Sequence, residues 1–220
     1  MVWWAYERRQ KYPLLNVRLF NNKTYLHSNI ISISQTVGLM LCLLLLPVLI
    51  QDVMGESALW TGVVLMVATL VASITTHYAG KRVDKRGARG IGMAGITISA
   101  LSTLMLAWCL YQPTLWLLIL TMSVRGVGVG LAYLPTTTVG FSSLPKDSVT
   151  EGAALNNISR RIISTIVITL TTLYIHSRSA QLLAAGSDVG IASAIQEILV
   201  IIAVMLLFTL PSACKLPRAP

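Results

Sequence analysis

Six apolar runs separated by short polar segments organise this chain. A bilayer core of about 30 Å is crossed by roughly 20 helical residues. Thr24 to Ile50 meets that length and ends in the run Leu39-Met-Leu-Cys-Leu-Leu-Leu-Leu-Pro-Val-Leu-Ile50. Ala58 to Tyr78, Gly90 to Tyr111 and Thr114 to Leu134 follow, the last expected to stop at Pro135. A fifth span is expected to start near Ala153. It carries Asn156, Asn157, Arg160 and Arg161 at its polar end and turns cleanly apolar from Ile162 to Ile175. Ile191 to Leu210 makes the sixth, stopping at Pro211. The pattern predicts an all-α integral membrane protein, a six-transmembrane-helix bundle over residues 24–212 with a tail at 213–220. Two sets of three helices would permit an inverted repeat, although the sets share no convincing sequence identity.

Composition agrees with that picture. Hydrophobic residues make up 55% of the 220, charged residues 11%, and the mean hydropathy is +0.71. Soluble domains carry about 25% charged residues, so the exterior of this chain must face an apolar medium, the lipid bilayer. A net charge of +9 raises the possibility of nucleic acid. The basic residues, however, sit in short segments between apolar runs and lack the interleaved aromatics of a single-strand binder, so no nucleic-acid partner is expected. Cys42, Cys109 and Cys214 are odd in number and scattered, and His27, His77 and His176 fall near span boundaries. Neither set has metal-ligand or disulfide spacing, and no metal or cofactor is expected. Met1 to Tyr6 is aromatic rather than basic, so no cleavable signal peptide is expected.

The basic residues then sort the loops. Arg8, Arg9, Lys11, Arg18 and Lys23 precede the first span; Lys81, Arg82, Lys85, Arg86 and Arg89 lie between the second and third. Lys146, Arg160 and Arg161 belong to the fourth connection, and Lys215 and Arg218 to the tail. With six spans all of these fall on one side, whereas Arg178 falls on the other together with Asp52 and Glu56. The positive-inside rule places both termini in the cytoplasm, as expected for a multi-pass protein of the cell membrane.

Specific chemistry is concentrated in two places. Between the second and third spans, Gly80, Asp84, Lys85, Gly87 and Arg89 spell G-x-x-x-D-[RK]-x-G-x-[RK]. Gly80 and Gly87 are expected to supply the tight turns of a short link, and Asp84 is a lone acid among five bases. Arg125 lies near the middle of the fourth span, too deep for easy snorkelling, where a charge costs at least about 2.5–3.5 kcal/mol. It is expected to face the bundle interior or an aqueous cavity, either bracing helices through carbonyls or lining a substrate path. Gly126 and Gly130 form a G-x-x-x-G pair around Gly128, which permits close helix approach or, secondarily, a hinge. Glu197 lies about two turns into the sixth span, where it either reaches the interface or acts as a cation- or proton-sensitive acid.

The loop motif resembles the signature of the major facilitator superfamily, with Ala88 standing where a further basic residue is usual. Other segments resemble the family's fourteen-span drug:proton antiporters. The arm Arg8-Arg-Gln-Lys-Tyr-Pro-Leu-Leu-Asn-Val-Arg-Leu-Phe20 is similar to the linker after their eighth span, and Leu46-Pro-Val-Leu-Ile-Gln51 to the end of their ninth. Arg125-Gly-Val-Gly-Val-Gly130 with Leu134-Pro135 is similar to their twelfth, and Asn157 and Arg160 to the approach to their thirteenth. Small residues usually follow there, but this chain has Ile162, Ile163, Ile166 and Val167. That departure puts close packing of the fifth helix in doubt, and the two arginines read as interface anchors or, secondarily, as gating residues.

The resemblance implies one half of a major-facilitator fold, with residues 1–23 a cytoplasmic linker that includes, at Met1 to Tyr6, the remnant of a preceding helix. It further implies the C-terminal half of a proton-coupled multidrug exporter for small amphipathic organic substrates, completed by an N-terminal half or by self-association. Asp84 would then meet the positive end of a helix in the other bundle, and the proton-coupling residues would lie outside this chain. The alternatives are a truncated remnant that does not transport and a membrane-embedded subunit of a larger transporter. An enzyme is not expected: the sequence offers no paired carboxylates, Ser-His-Asp order or phosphate loop.

Overall fold

The computed structural model describes residues 17–111, 114–184 and 190–217, with the side chains of 17, 84–86, 183 and 184 excepted. The arm before Val17 and Arg218 lie outside the described residues. A 3-10 turn at Val17–Asn21 leads into α1 (Lys23–Pro47), whose first amides at Thr24 and Tyr25 donate to the Asn22 side chain at 3.0 and 3.2 Å. That capping bond satisfies donors left over at a helix start. α1 runs on through a π-helical turn at Val48–Val53, and Gly55, at φ 69°, reverses the chain.

Helix α2 (Ala58–Arg86) and α3 (Ala88–Cys109) are separated by one residue, Gly87. Its φ of 74° and ψ of 166° suit glycine and strain other residues, and its amide donates to the Val83 carbonyl at 2.8 Å. Gly80 therefore lies within α2 rather than in a turn, because the helix continues through the basic segment instead of stopping at Tyr78.

Helix α4 (Leu115–Ser142) runs through Pro135 instead of ending there. Proline removes the amide that would meet the carbonyl four residues back. Hydroxyls repair the surroundings: Thr136 and Thr137 donate to the carbonyls of Ala132 and Tyr133, and Ser28 of α1 donates to the Thr136 carbonyl at 2.7 Å. Within a membrane, side-chain hydroxyls are what make such a proline tolerable.

Helix α5 (Val149–Ala184) begins a turn before Ala153, and its 36 residues carry Arg178 inside the helix rather than in a loop. α6 (Gly190–Phe208) and the short α7 (Leu210–Cys214) close the bundle. Six helices are long and apolar enough to cross a membrane.

The main core draws Leu41, Leu45 and Leu46 of α1 against Val64 of α2, Leu106 of α3, Leu118 of α4, and Ile195 and Leu199 of α6. A smaller cluster joins Ile31, Ala88, Ile96 and Ala132 to Ala213 and Leu216, so the start of the expected tail packs into the bundle. The ends bearing the basic residues gather together: Asn22 Nδ2 donates to the Ser143 carbonyl and Tyr25 Oη to the Gly152 carbonyl, both at 2.8 Å. Burial is uneven. More than half of the spanning stretch of α1 is buried (56%), against 17% for α2 and 11% for α5.

Candidate functional site

Two polar features lie within the apolar bundle and a third on its outer surface. Arg125, the charged residue of the fourth span, is 2% exposed. Its Nη1 donates to Thr103 Oγ1 of α3, while Nε and Nη2 have no hydrogen-bond partner among the described residues. A Cβ placed on Gly38 of α1 would stand 2.7 Å from Nη2, so α1 passes close to the guanidinium at that glycine. One turn away, Gln35 Oε1 accepts from Ser99 Oγ at 3.2 Å and its Nε2 is left without a partner. Ser99 also supplies the carbonyl to which Thr103 Oγ1 donates, at 2.7 Å. Arg125 therefore faces the bundle interior.

The glycines after Arg125 let α4 approach its neighbours. Cβ atoms on Gly126 and Gly130 would collide with the Ala68 and Ala72 carbonyls of α2, and one on Gly128 would stand 2.5 Å from Ser99 on α3. Gly95 of α3 meets the Ala132 backbone of α4 just as closely, at 2.5 Å. The close approach at these positions is the helix packing expected of the G-x-x-x-G pair.

A second polar seam joins α1 to α5 near the end of the bundle that bears the basic residues. Asn156 Nδ2 donates to Asn29 Oδ1 at 3.2 Å, Asn29 Nδ2 donates to Tyr25 Oη at 3.2 Å, and Ser32 Oγ reaches Asn156 Oδ1 at 3.5 Å. All four side chains are buried. The sequence reading missed Asn29, Ser32, Gln35, Ser99 and Thr103. Their signal was available as spacing: Tyr25, Ser28, Asn29, Ser32 and Gln35 recur every three or four residues and so form one face of α1.

The third feature is on the outside of α5. Asn157, Arg161, Thr165, Thr169, Thr172 and His176 are all exposed and lie three or four residues apart. Ile158, Ile162, Ile166, Leu170 and Leu173 form a parallel exposed stripe beside them. The hydroxyls of Thr169 and Thr172 donate to carbonyls of their own helix at 2.9 and 3.0 Å, leaving oxygen lone pairs outward. α2 repeats the pattern with Thr69, Ser73, His77 and Lys81 exposed at four-residue spacing.

Other candidate residues are placed elsewhere. Arg160 donates to Asn157 Oδ1 and lays its guanidinium over the Tyr133 ring of α4, 5.3 Å from the centroid, so it folds onto the bundle while Arg161 stays exposed. Glu197 pairs with Arg178 at 3.0 Å and accepts from Tyr174 Oη at 2.5 Å, an ion pair between α6 and α5 about a third exposed. Of the loop motif, Gly87 makes the turn, Gly80 is helical with open space around it, and Arg89 begins α3. The side chains of Asp84 and Lys85 lie outside the described residues.

Among the described residues, a helical bundle with six helices long and apolar enough to cross a membrane is the architecture of a multi-pass membrane protein. Residues 7–169 match the Major Facilitator Superfamily, and the chain belongs to that family. It is 29% identical over 163 residues to the uncharacterized MFS-type transporter YhcA of Bacillus subtilis, covering 74% of this chain and 31% of that protein. The multidrug resistance protein B homolog of Mycobacterium tuberculosis is 26% identical, over 70% of this chain and 29% of its own length. The probable multidrug resistance protein EmrY of Escherichia coli is 25% identical, over 78% and 33%. The chain thus spans about a third of the length of these relatives. Among solved structures, it superposes on a bacterial homologue of the human drug peptide transporters PepT1 and PepT2 with a TM-score of 0.72. That match has 14% identity and covers 90% of this chain and 44% of the other.

Proposed function

We propose that this chain supplies one six-helix bundle of an exporter of small amphipathic organic compounds, working by alternating access against a second bundle. The observation that carries the reading is the outer face of α5, which sets a polar stripe beside an apolar stripe on the least buried spanning helix. Lipid alone rewards the apolar stripe. A path occupied by amphipathic molecules uses both, and the similar surface of α2 would form its second wall. The multidrug names among the relatives favour the same substrate class. In the complete transporter a proton gradient supplies the energy. No aspartate or glutamate side chain is buried among the described residues, so proton coupling is assigned to the second bundle. The distribution of basic residues supports cytoplasmic termini, and the cell membrane is the proposed location.

The test is accumulation of a fluorescent amphipathic cation in exporter-deficient cells. The chain is expressed alone and together with an amino-terminal bundle from a related exporter. A variant with Thr165, Thr169 and Thr172 all replaced by valine runs in parallel. Export that needs the added bundle and falls in the variant, at equal membrane levels, is the expected result. Export by the chain alone would mean that a second copy provides the other bundle. Absence of export in every arm, with the protein in the membrane, would sink the transport reading and favour a non-transporting subunit.

A further inference from the structure

We propose that the Nε–Nη2 edge of Arg125 binds a halide-sized monovalent anion inside the helix bundle, with Gln35 Nε2 as a further donor. An arginine keeps its charge at any accessible pH, and a buried cation without an anionic partner is among the costliest arrangements in a protein. Arg125 is 2% exposed, yet its one partner among the described residues is the neutral hydroxyl of Thr103. The two unpartnered nitrogens share one edge of the guanidinium, the fork that ordinarily accepts an anion side-on.

The surroundings point the same way. Gln35, 1% exposed, offers a second unpartnered donor one turn along α1 from Gly38, whose α-carbon faces Nη2. Its acceptor oxygen is already engaged by Ser99, so the amide turns its N–H groups away from Ser99. The free groups in this region are therefore all donors, and they need an acceptor. No buried carboxylate supplies it among the described residues, since Glu197 is held by Arg178 at the α5–α6 contact. A carboxylate from another bundle would have to reach a side chain that is 2% exposed in this one. The close passage of Gly38 favours a single small ion over a polyatomic one.

The experiment compares thermal unfolding of the full chain, purified in detergent with either sodium chloride or sodium gluconate throughout, at one ionic strength. An anion bound to the folded state alone raises the midpoint by mass action, by about 4 °C for tenfold saturation. Arg125→Gln should lose the difference between the two salts, whereas Arg18→Gln, an exposed arginine of the arm, should keep it. Gln35→Glu provides a built-in carboxylate and should unfold at the high midpoint in both salts, which keeps the test decisive if Arg125→Gln cannot be isolated. Equal midpoints for the wild-type chain in chloride and gluconate would overturn the proposal. So would a chloride response that survives in Arg125→Gln.

Discussion

Helices α4 and α5 are both long enough to cross the membrane with residues to spare, yet they meet the bundle in opposite ways. α4 presents Gly126, Gly128 and Gly130, and lies so close to α2 and α3 that an added methyl group has nowhere to go. α5 presents Ile162, Ile163 and Ile166 outward, between 38% and 55% exposed, and its contacts with α1 include hydrogen bonds between buried polar groups. In a bilayer, apolar side chains gain little from leaving lipid for protein, so close packing and interhelical hydrogen bonds decide which helices hold together. The first helix is fixed by close contact of backbones, the second by hydrogen bonds, an ion pair and looser apolar contacts. A bundle that must keep its interior rigid while offering a changeable surface needs one of each.

The contrast can be broken from either side. The largest effect is expected from Gly126→Leu, which forces α2 off α4 at the Ala68 carbonyl. Overpacking of this kind costs about 3 kcal/mol or more and should appear as lost folded protein in a detergent thermal-unfolding assay. Asn156→Leu is next. It strands the buried Asn29 amide, at about 1–3 kcal/mol, and should loosen α5 selectively, read as faster hydrogen exchange in that helix than in α4. Ile166→Ala sharpens the comparison at the small end. A buried isoleucine would cost about 2–5 kcal/mol on truncation, but at 54% exposure the midpoint should barely move. A large drop there would mean that α5 packs far more tightly than its exposure indicates.

These two helices also show what could be read from the sequence. The six spans were legible because transfer into lipid sums over residues, and long apolar runs leave little choice. Their ends were not. Hydropathy falls at Tyr78 and Leu134, but the helices continue to Arg86 and Ser142: α2 keeps its backbone bonds through the basic segment, and α4 goes on because Thr136, Thr137 and Gly140 are buried in the bundle. Arg125 was legible as a single charge in an apolar run. The seam was not: Asn29 and Asn156 are ordinary uncharged residues, 127 positions apart, and become a site only when α1 and α5 are placed side by side. The stripes on α5 were hidden for a similar reason, because exposure depends on which face of the helix the bundle leaves open.

The one-residue connection at Gly87 bears on how the protein meets a protease. Lys81, Arg82, Lys85, Arg86 and Arg89 form a dense cluster of tryptic sites on the membrane surface, and in a flexible loop they would be cut at once. Here the backbone from Ala58 to Cys109 is helical on both sides of a single glycine, so cleavage requires the end of a helix to unravel first. The rate of nicking at this segment therefore reports how firmly α2 and α3 are held, and any partner that docks across the turn should slow it.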